Sequence, residues 1–273
     1  MIRRVAPAEA ARSIRVGVGG WVFAPWRGEF YPEGLPQARE LDYASRRLTT
    51  IEINGTFYRT QKPDSFRKWA AETPDDFVFS VKGPQFATHR RVLAEAGGAV
   101  DRFFASGVLE LKSKLGPVLW QMPPTKKLDP EDFAAFLALL PQHLDGRPIR
   151  HAVEVRHASF AVPSFIALLR EFSVAGALIE SDKHPLIADV TADFVYARLQ
   201  RSSEKLKTGY APRDLDRWAR RARAWSDGAL PDDLPTVAEP AKPRAGLDVF
   251  IYMIAGAKLR APAAAMALIS RLE

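Results

Sequence analysis

Short apolar-rich runs recur at residues 14–20, 49–54, 77–83, 116–123, 151–156, 176–182, 194–200 and 248–256, and the second to seventh alternate apolar and polar residues with a period of two. The runs are rich in Val, Ile and Phe, and most are bounded by Gly, Pro or Asp, so each predicts a β-strand. The stretches between them switch to helical spacing. Residues 35–48, 63–73, 92–115, 129–140, 163–172, 212–225 and 261–272 carry apolar residues on one face. Several open on helix-start signals. Asp129-Pro-Glu-Asp combines a capping side chain, a first-turn proline and early acids, ahead of the stripe Phe133, Phe136, Leu137 and Leu140. Residues 183–193 are too short and too proline-broken for a full helix.

Strand–helix alternation of this kind predicts a parallel sheet, and eight units predict an α/β fold closed as a (β/α)8 TIM barrel. The length of 273 residues suits one such domain. An open doubly wound sheet is the alternative. It usually carries a glycine-rich dinucleotide loop, which Gly17-Val-Gly-Gly matches poorly. Residues 1–13 read as a basic, alanine-rich lead before a single domain at 14–273. Within that domain, residues 227–246, with Pro231, Pro235, Pro240 and Pro243, read as a flexible insertion before the last strand.

The alternation also predicts what faces what. Runs two to seven each set an apolar row against a polar one: Ile51 and Ile53 against Glu52 and Asn54, Phe79 and Val81 against Ser80 and Lys82, Val118 and Trp120 against Gln121. The later runs set Val153 and Val155 against Glu154 and Arg156, Ile179 against Glu180 and Asp182, and Ala197 and Leu199 against Tyr196 and Arg198. Strands in an ordinary parallel sheet are apolar on both faces. A barrel resolves the conflict by turning the apolar rows to the helices and the polar rows inward. The polar residues come late in each run, at the end where barrel enzymes build their sites.

Composition acts mainly by exclusion. The chain has no cysteine, which removes disulfides, thiolate metal sites, iron–sulfur clusters and cysteine nucleophiles. Apolar residues make up 47% and charged residues 26%, which rules out wholesale disorder. The net charge of +7 disfavours basic substrates and permits anionic ones. The first residues lack the apolar run of a secretory signal, and no stretch is long and apolar enough to span a bilayer. A cytoplasmic location without a membrane partner is expected.

Glu52 and Glu154, on opposite walls, are the candidate general acid and base, with Lys82 as the third catalytic group. Lys82 is either a Schiff-base nucleophile or an ion-pair partner of those acids. Arg156 and Arg198 are candidate anion holders, with Trp21, Asn54, Tyr58, His89, Gln121, His157 and Asp182 as further substrate-binding candidates. No cofactor is expected. The alternative is a divalent metal on His89 and His157 with Glu52, Glu154 and Asp182, although no tight ligand motif is present. Basic residues crowd the loops after several strands, and residues 198–223 hold nine basic and three acidic side chains. Such loops suit a phosphate, and nucleic acid is the alternative partner.

Five stretches extend the picture: Gly19-Gly-Trp-Val-Phe-Ala-Pro-Trp-Arg-Gly-Glu-Phe-Tyr-Pro, Ile51-Glu-Ile-Asn-Gly-Thr-Phe-Tyr-Arg, Val81-Lys-Gly-Pro-Gln-Phe-Ala-Thr-His, Leu119-Trp-Gln-Met-Pro-Pro and Ala152-Val-Glu-Val-Arg-His-Ala-Ser-Phe. Together they resemble the YecE-like family, domain of unknown function 72, from about Arg15 to the last helix. The resemblance implies a TIM barrel and names no activity. The chain departs from the family's pattern at two strand ends. Gln200-Arg-Ser stands where members usually have His-Gly, and Tyr252-Met-Ile-Ala-Gly-Ala stands where an aromatic–Asn–Asn pattern is common. The expectation is an enzyme of hydrolase or lyase type acting on a small anionic, phosphorylated ligand. A nucleic-acid-binding or phosphodiester-cleaving protein and a non-catalytic ligand sensor are the alternatives.

Overall fold

The computed structural model describes residues 13–240 and 246–273. Most of the expected basic lead, and residues 241–245 of the proline-rich stretch, lie outside the described residues.

The alternating runs form the staves of a parallel barrel. They are β1 (Ile14–Gly19), β2 (Thr50–Ile53), β3 (Val78–Lys82), β4 (Leu115–Gln121), β5 (His151–Glu154), β6 in two pieces (Ala175–Gly176 and Leu178–Glu180), β7 (Phe194–Leu199) and β8 (Asp248–Met253). β1 pairs with both β2 and β8, so it cannot be an edge. The first piece of β6 pairs with β5 and the second with β7, which brings the ring to near closure. This arrangement excludes the open doubly wound sheet.

Helices surround the ring: α1 (Glu40–Ser45), α2 (Pro63–Ala71), α3 (Gly97–Ala105), α4 (Pro130–Ala138), α5 (Pro163–Glu171), α6 (Pro212–Ser226) and α7 (Ala261–Leu272). The Asp129 side chain accepts the backbone N–H of Asp132 at 3.2 Å, the cap expected at the start of α4. The helix expected over 92–115 is broken instead. Gly107, with φ +103°, ends it where a Cβ would lie 2.6 Å from Cα of Pro63 at the start of α2. After β6 the chain runs without a helix, as its sequence predicts. The proline-rich stretch is tied down as far as it is described: Asp189 accepts the N–H groups of Val237 and Ala238 at 2.8 and 3.0 Å.

Two apolar layers hold the barrel. Ile51, Ile53, Phe79, Val81, Val118, Trp120, Val153 and Ala197 point outward and join the helix residues in one cluster. Leu119, Ala152, Ala177, Phe194, Tyr196, Phe250 and Tyr252 fill the lumen below the polar residues. The inner face is thus apolar in its lower part and polar at the carboxyl ends of the strands.

Stave β6 corrects one expectation. Glu180 and Asp182 were assigned to the lumen, yet Ala177 points inward and Ile179 lies beside the inward-facing Arg198 in register. Glu180 therefore faces the helix layer, where it accepts the Tyr210 hydroxyl at 2.7 Å and the Trp218 indole N–H at 3.0 Å. Those donors supply the partners that a buried carboxyl needs.

Candidate functional site

Arg198, near the end of β7, is the hub of the polar lumen and only 2% exposed. Its Nε and Nη2 donate to the two oxygens of Glu52 at 3.1 and 2.9 Å. Its Nη1 donates to Glu154 Oε2 and, at 3.4 Å, to Gln121 Oε1. The Tyr196 hydroxyl adds a 2.7 Å bond to Glu52 Oε2, and Arg156 Nε donates to Glu154 Oε1 at 2.6 Å. All four carboxylate oxygens are therefore occupied. Burial alone would raise the pKa of Glu154, but Arg198, Arg156 and Lys82 outweigh it and hold the carboxyl below its usual range. The same acids raise the pKa of Arg198 against the cost of its burial.

Above this floor opens a cavity of about 370 Å³. Its lining includes Lys82, Arg156, Arg198 and Lys258 but neither Glu52 nor Glu154, both of which are 0% exposed. Asn54, Tyr58 and Gln121 supply polar wall groups, and Met253 and Ile254 the apolar part. Four cations meet two buried carboxylates here, which leaves an excess of positive charge facing the space.

Lys82 ends β3 with its ammonium 4.0 Å from the centre of the Phe57 ring. Among the described residues, no carboxylate comes within ion-pair distance of it. Burial lowers its pKa most and repulsion from Arg198 adds to this, while Glu52 and Glu154 oppose; the result is about 8. The ion-pair alternative from the sequence thus has no geometric partner, because Arg198 takes up both acids first.

Eight of the twelve sequence candidates meet at this place: Glu52, Asn54, Tyr58, Lys82, Gln121, Glu154, Arg156 and Arg198. The other four lie away from it. Trp21 packs edge-on against Trp69, ring centres 5.2 Å apart, and lines a neighbouring groove instead. His89 is exposed beside Phe57. Burial and then the positive charges of Lys82 and Arg156 lower its pKa, so it feels the cavity without lining it. His157 turns back on its own loop, its Nδ1 accepting the backbone N–H of Ser159 at 3.1 Å. Asp182 is 81% exposed and pairs with Arg201 at 2.7 Å. The five residues of the metal alternative are consequently dispersed, and no group of three or more potential ligand side chains occurs among the described residues.

Part of the basic charge counted in the sequence is paired with acids, on the loops and on α6. Lys126 pairs with Asp132, Arg201 with Asp182, Arg217 with Asp214 and Arg221 with Asp233. Lys258 is the cation that the reading missed. It follows β8 within a run of small residues, and looking for basic residues just after each strand finds it once β8 is included. Trp26 is fully buried and lines the cavity, and its indole N–H fixes the chain there by donating to Lys258 O at 2.9 Å.

Comparison with known proteins agrees with this architecture. A family model described as "Protein of unknown function DUF72" matches residues 15–273. The chain is 30% identical over 149 residues to UPF0759 protein YecE of Escherichia coli K12, covering 54% of this chain and 50% of that protein. It is 28% identical over 173 residues to UPF0759 protein YunF of Bacillus subtilis, covering 62% and 59%. The matches thus span little more than half the length of these curated relatives. A crystal structure of a DUF72 family protein from Thermotoga maritima superposes with a TM-score of 0.69 at 21% identity, covering 94% of this chain and 96% of that one. One from Enterococcus faecalis gives 0.67 at 14%, covering 96% and 98%. At these identities the likeness shows the fold. Among the described residues, no helix is long and apolar enough to cross a membrane.

Proposed function

This chain belongs to the DUF72 family, whose description carries no activity, and from its own geometry we propose that it is an enzyme of hydrolase or lyase type. Its substrate is a small anion, in the first instance a phosphate monoester, taken up in the cavity above Arg198. One observation carries the reading: four cationic side chains line the cavity, and the two acids that balance them lie beneath it, out of contact with the space. A dianion would neutralise the excess. The cavity is of small-molecule size, within the roughly 300–1,000 Å³ typical of such sites. That size favours a small ligand over nucleic acid.

In this reading Glu52 and Glu154 do not exchange protons with the substrate. They hold Arg198 in place, and Arg198, Arg156 and Lys258 hold the anion. Proton transfer falls to Lys82, whose amine faces the cavity without a carboxylate partner. With a pKa of about 8 it carries both protonation states near neutral pH. Asn54 and Gln121 orient the rest of the ligand. A cysteine-free chain of this kind fits a cytoplasmic setting.

Calorimetric titration of the protein with methyl phosphate tests the reading. Saturable binding at neutral pH that is weakened by Arg156→Met supports it. The absence of binding at millimolar ligand overturns it.

A further inference from the structure

The cationic cavity does not end at its own wall. A second space of about 330 Å³ adjoins it, and the two share Gly19, Asn54 and Lys258. Gly19 has no side chain at the junction. A Cβ there would lie 2.5 Å from Ile254 Cδ1 and 2.8 Å from Asn54 Nδ2, so these two side chains pack directly on the Gly19 backbone at the boundary of the two spaces.

The chemistry of the two spaces differs. The second is walled by Trp21, Val22, Ile53 and Trp69, with Arg59 and Gln61 among its polar members. Val22 is 52% exposed, an apolar side chain left open beside the groove. Trp21 is anchored from behind by its edge-on contact with Trp69 and a tilted one with Phe79, ring centres 6.4 Å apart. A rigid indole on the wall of an open groove is a surface on which a flat ring stacks, and polar side chains in the same lining can reach the ring's edge.

We propose that the ligand is an anion bearing a planar aromatic or heteroaromatic ring. The charged group sits in the cavity over Arg198, and the ring lies in the groove against Trp21. Lys258 and Asn54 stand at the point where the two halves join. The proposal rests on the anion reading above and narrows it from any phosphate monoester to one with a ring. Adjacency is the argument for a single ligand: the cavity and the groove share Gly19, Asn54 and Lys258, so a molecule seated over Arg198 has the groove wall directly beside it.

The test compares methyl phosphate and phenyl phosphate by titration calorimetry at one pH and salt concentration. Both carry the same anionic group, and they differ in the ring. Stacking on an aromatic side chain gains about 1 kcal/mol or more, so phenyl phosphate should bind at least about fivefold tighter. Trp21→Leu keeps the side chain apolar and should remove that advantage while leaving methyl phosphate affinity unchanged. Equal affinities of the unaltered protein for the two esters overturn the ring proposal and leave the anion reading standing. An advantage that survives Trp21→Leu also overturns it. Binding of neither ester overturns the anion reading, and the ring proposal with it. The comparison on the unaltered protein needs no variant, so a folding defect in Trp21→Leu would not blunt it.

Discussion

Arg198 on β7 and Glu52 on β2 meet across the lumen in a two-pronged pair, with N–H···O distances of 2.9 and 3.1 Å. The planar guanidinium matches the carboxylate edge to edge, and its remaining nitrogen reaches Glu154. Neither partner has water to turn to: Arg198 is 2% exposed and Glu52 0%. The pair contributes little net stability, because burying both charges offsets their attraction. Its consequence is positional. Three strands are locked to one cation, and that cation forms the floor of the cavity.

Removing the cation alone should therefore be costly. Arg198→Met leaves the buried Glu52 carboxylate with no cation and Glu154 with Arg156 alone, and we expect a loss of roughly 3–5 kcal/mol. Adding Glu52→Gln to the same chain should restore most of it, since the carboxylate left without a cation is then neutral while Glu154 keeps Arg156. Urea denaturation at pH 7 measures both. A loss under about 1 kcal/mol for the single change would show that the acids find other partners.

Lys82 gives anion binding a pH dependence with a definite sign. Its free-state pKa of about 8 lies below the ordinary lysine value, and a bound anion raises it. Below pH 8 the amine is already protonated and affinity is flat. Above pH 8 the free protein has lost that proton and must take it back on binding. Affinity should fall by up to about tenfold per pH unit until the pKa of the complex is reached. Lys82→Met should lower affinity and abolish the slope. Titration at pH 7, 8 and 9 decides between a sloping and a flat profile.

Much of this site was legible in the alternation alone. Glu52, Lys82, Gln121, Glu154 and Arg198 come together because each occupies a late inward position on its own stave. A period of two gives that position once the fold is known. The alternation failed at β6, where Ala175, Ala177 and Ile179 form one inward row through both pieces and Glu180 falls on the outward row, its partners Tyr210 and Trp218 lying on elements that the spacing of β6 does not show. It was also silent on pairing. Nothing in the spacing says that Arg198 takes both acids, because that depends on where seven other strands stand in the ring. The roles of His89, His157 and Asp182 were overread for a related reason. Loop residues just past a strand end are close to the mouth in sequence, but the loop's own turn decides where they point. His157 caps such a turn.

Lys258 should separate binding from folding. It stands over the Phe23 ring, 4.3 Å from its centre, with no carboxylate at ion-pair distance among the described residues. Burial lowers its pKa, so the charge is a small cost to the folded state. Lys258→Met should leave denaturation midpoints unchanged or slightly raised while weakening methyl phosphate binding roughly tenfold or more, the scale of one charge-assisted hydrogen bond. A variant that binds as well as the parent would remove Lys258 from the anion site.

Acid stability is set in part at the opposite end of the barrel, by His151. The Trp120 indole N–H donates to His151 Nδ1 at 3.0 Å, so the ring proton sits on Nε2, which donates to the Pro141 carbonyl at 2.8 Å. Indole nitrogen only donates, and this fixes a neutral tautomer. Burial pushes the His151 pKa down to about 4, against the opposing pull of the Pro141 carbonyl. An unfolded histidine titrates near 6.5, so between those values the unfolded chain takes up a proton that the folded chain refuses. Stability must then fall as pH drops through that window, by roughly 3 kcal/mol in all, and His151 contributes nothing further below about pH 4. Glu154 and Asp248, whose pKa values are lowered, lose their contribution at more acid pH, as the folded carboxyls protonate. His151→Gln separates the two effects: its amide offers one acceptor for Trp120 and one donor for Pro141 but does not titrate. Urea midpoints measured from pH 7 to 4.5 should slope in the parent and flatten in the variant. Equal slopes would mean that the imidazole can protonate in place and that the Trp120 bond does not hold it neutral.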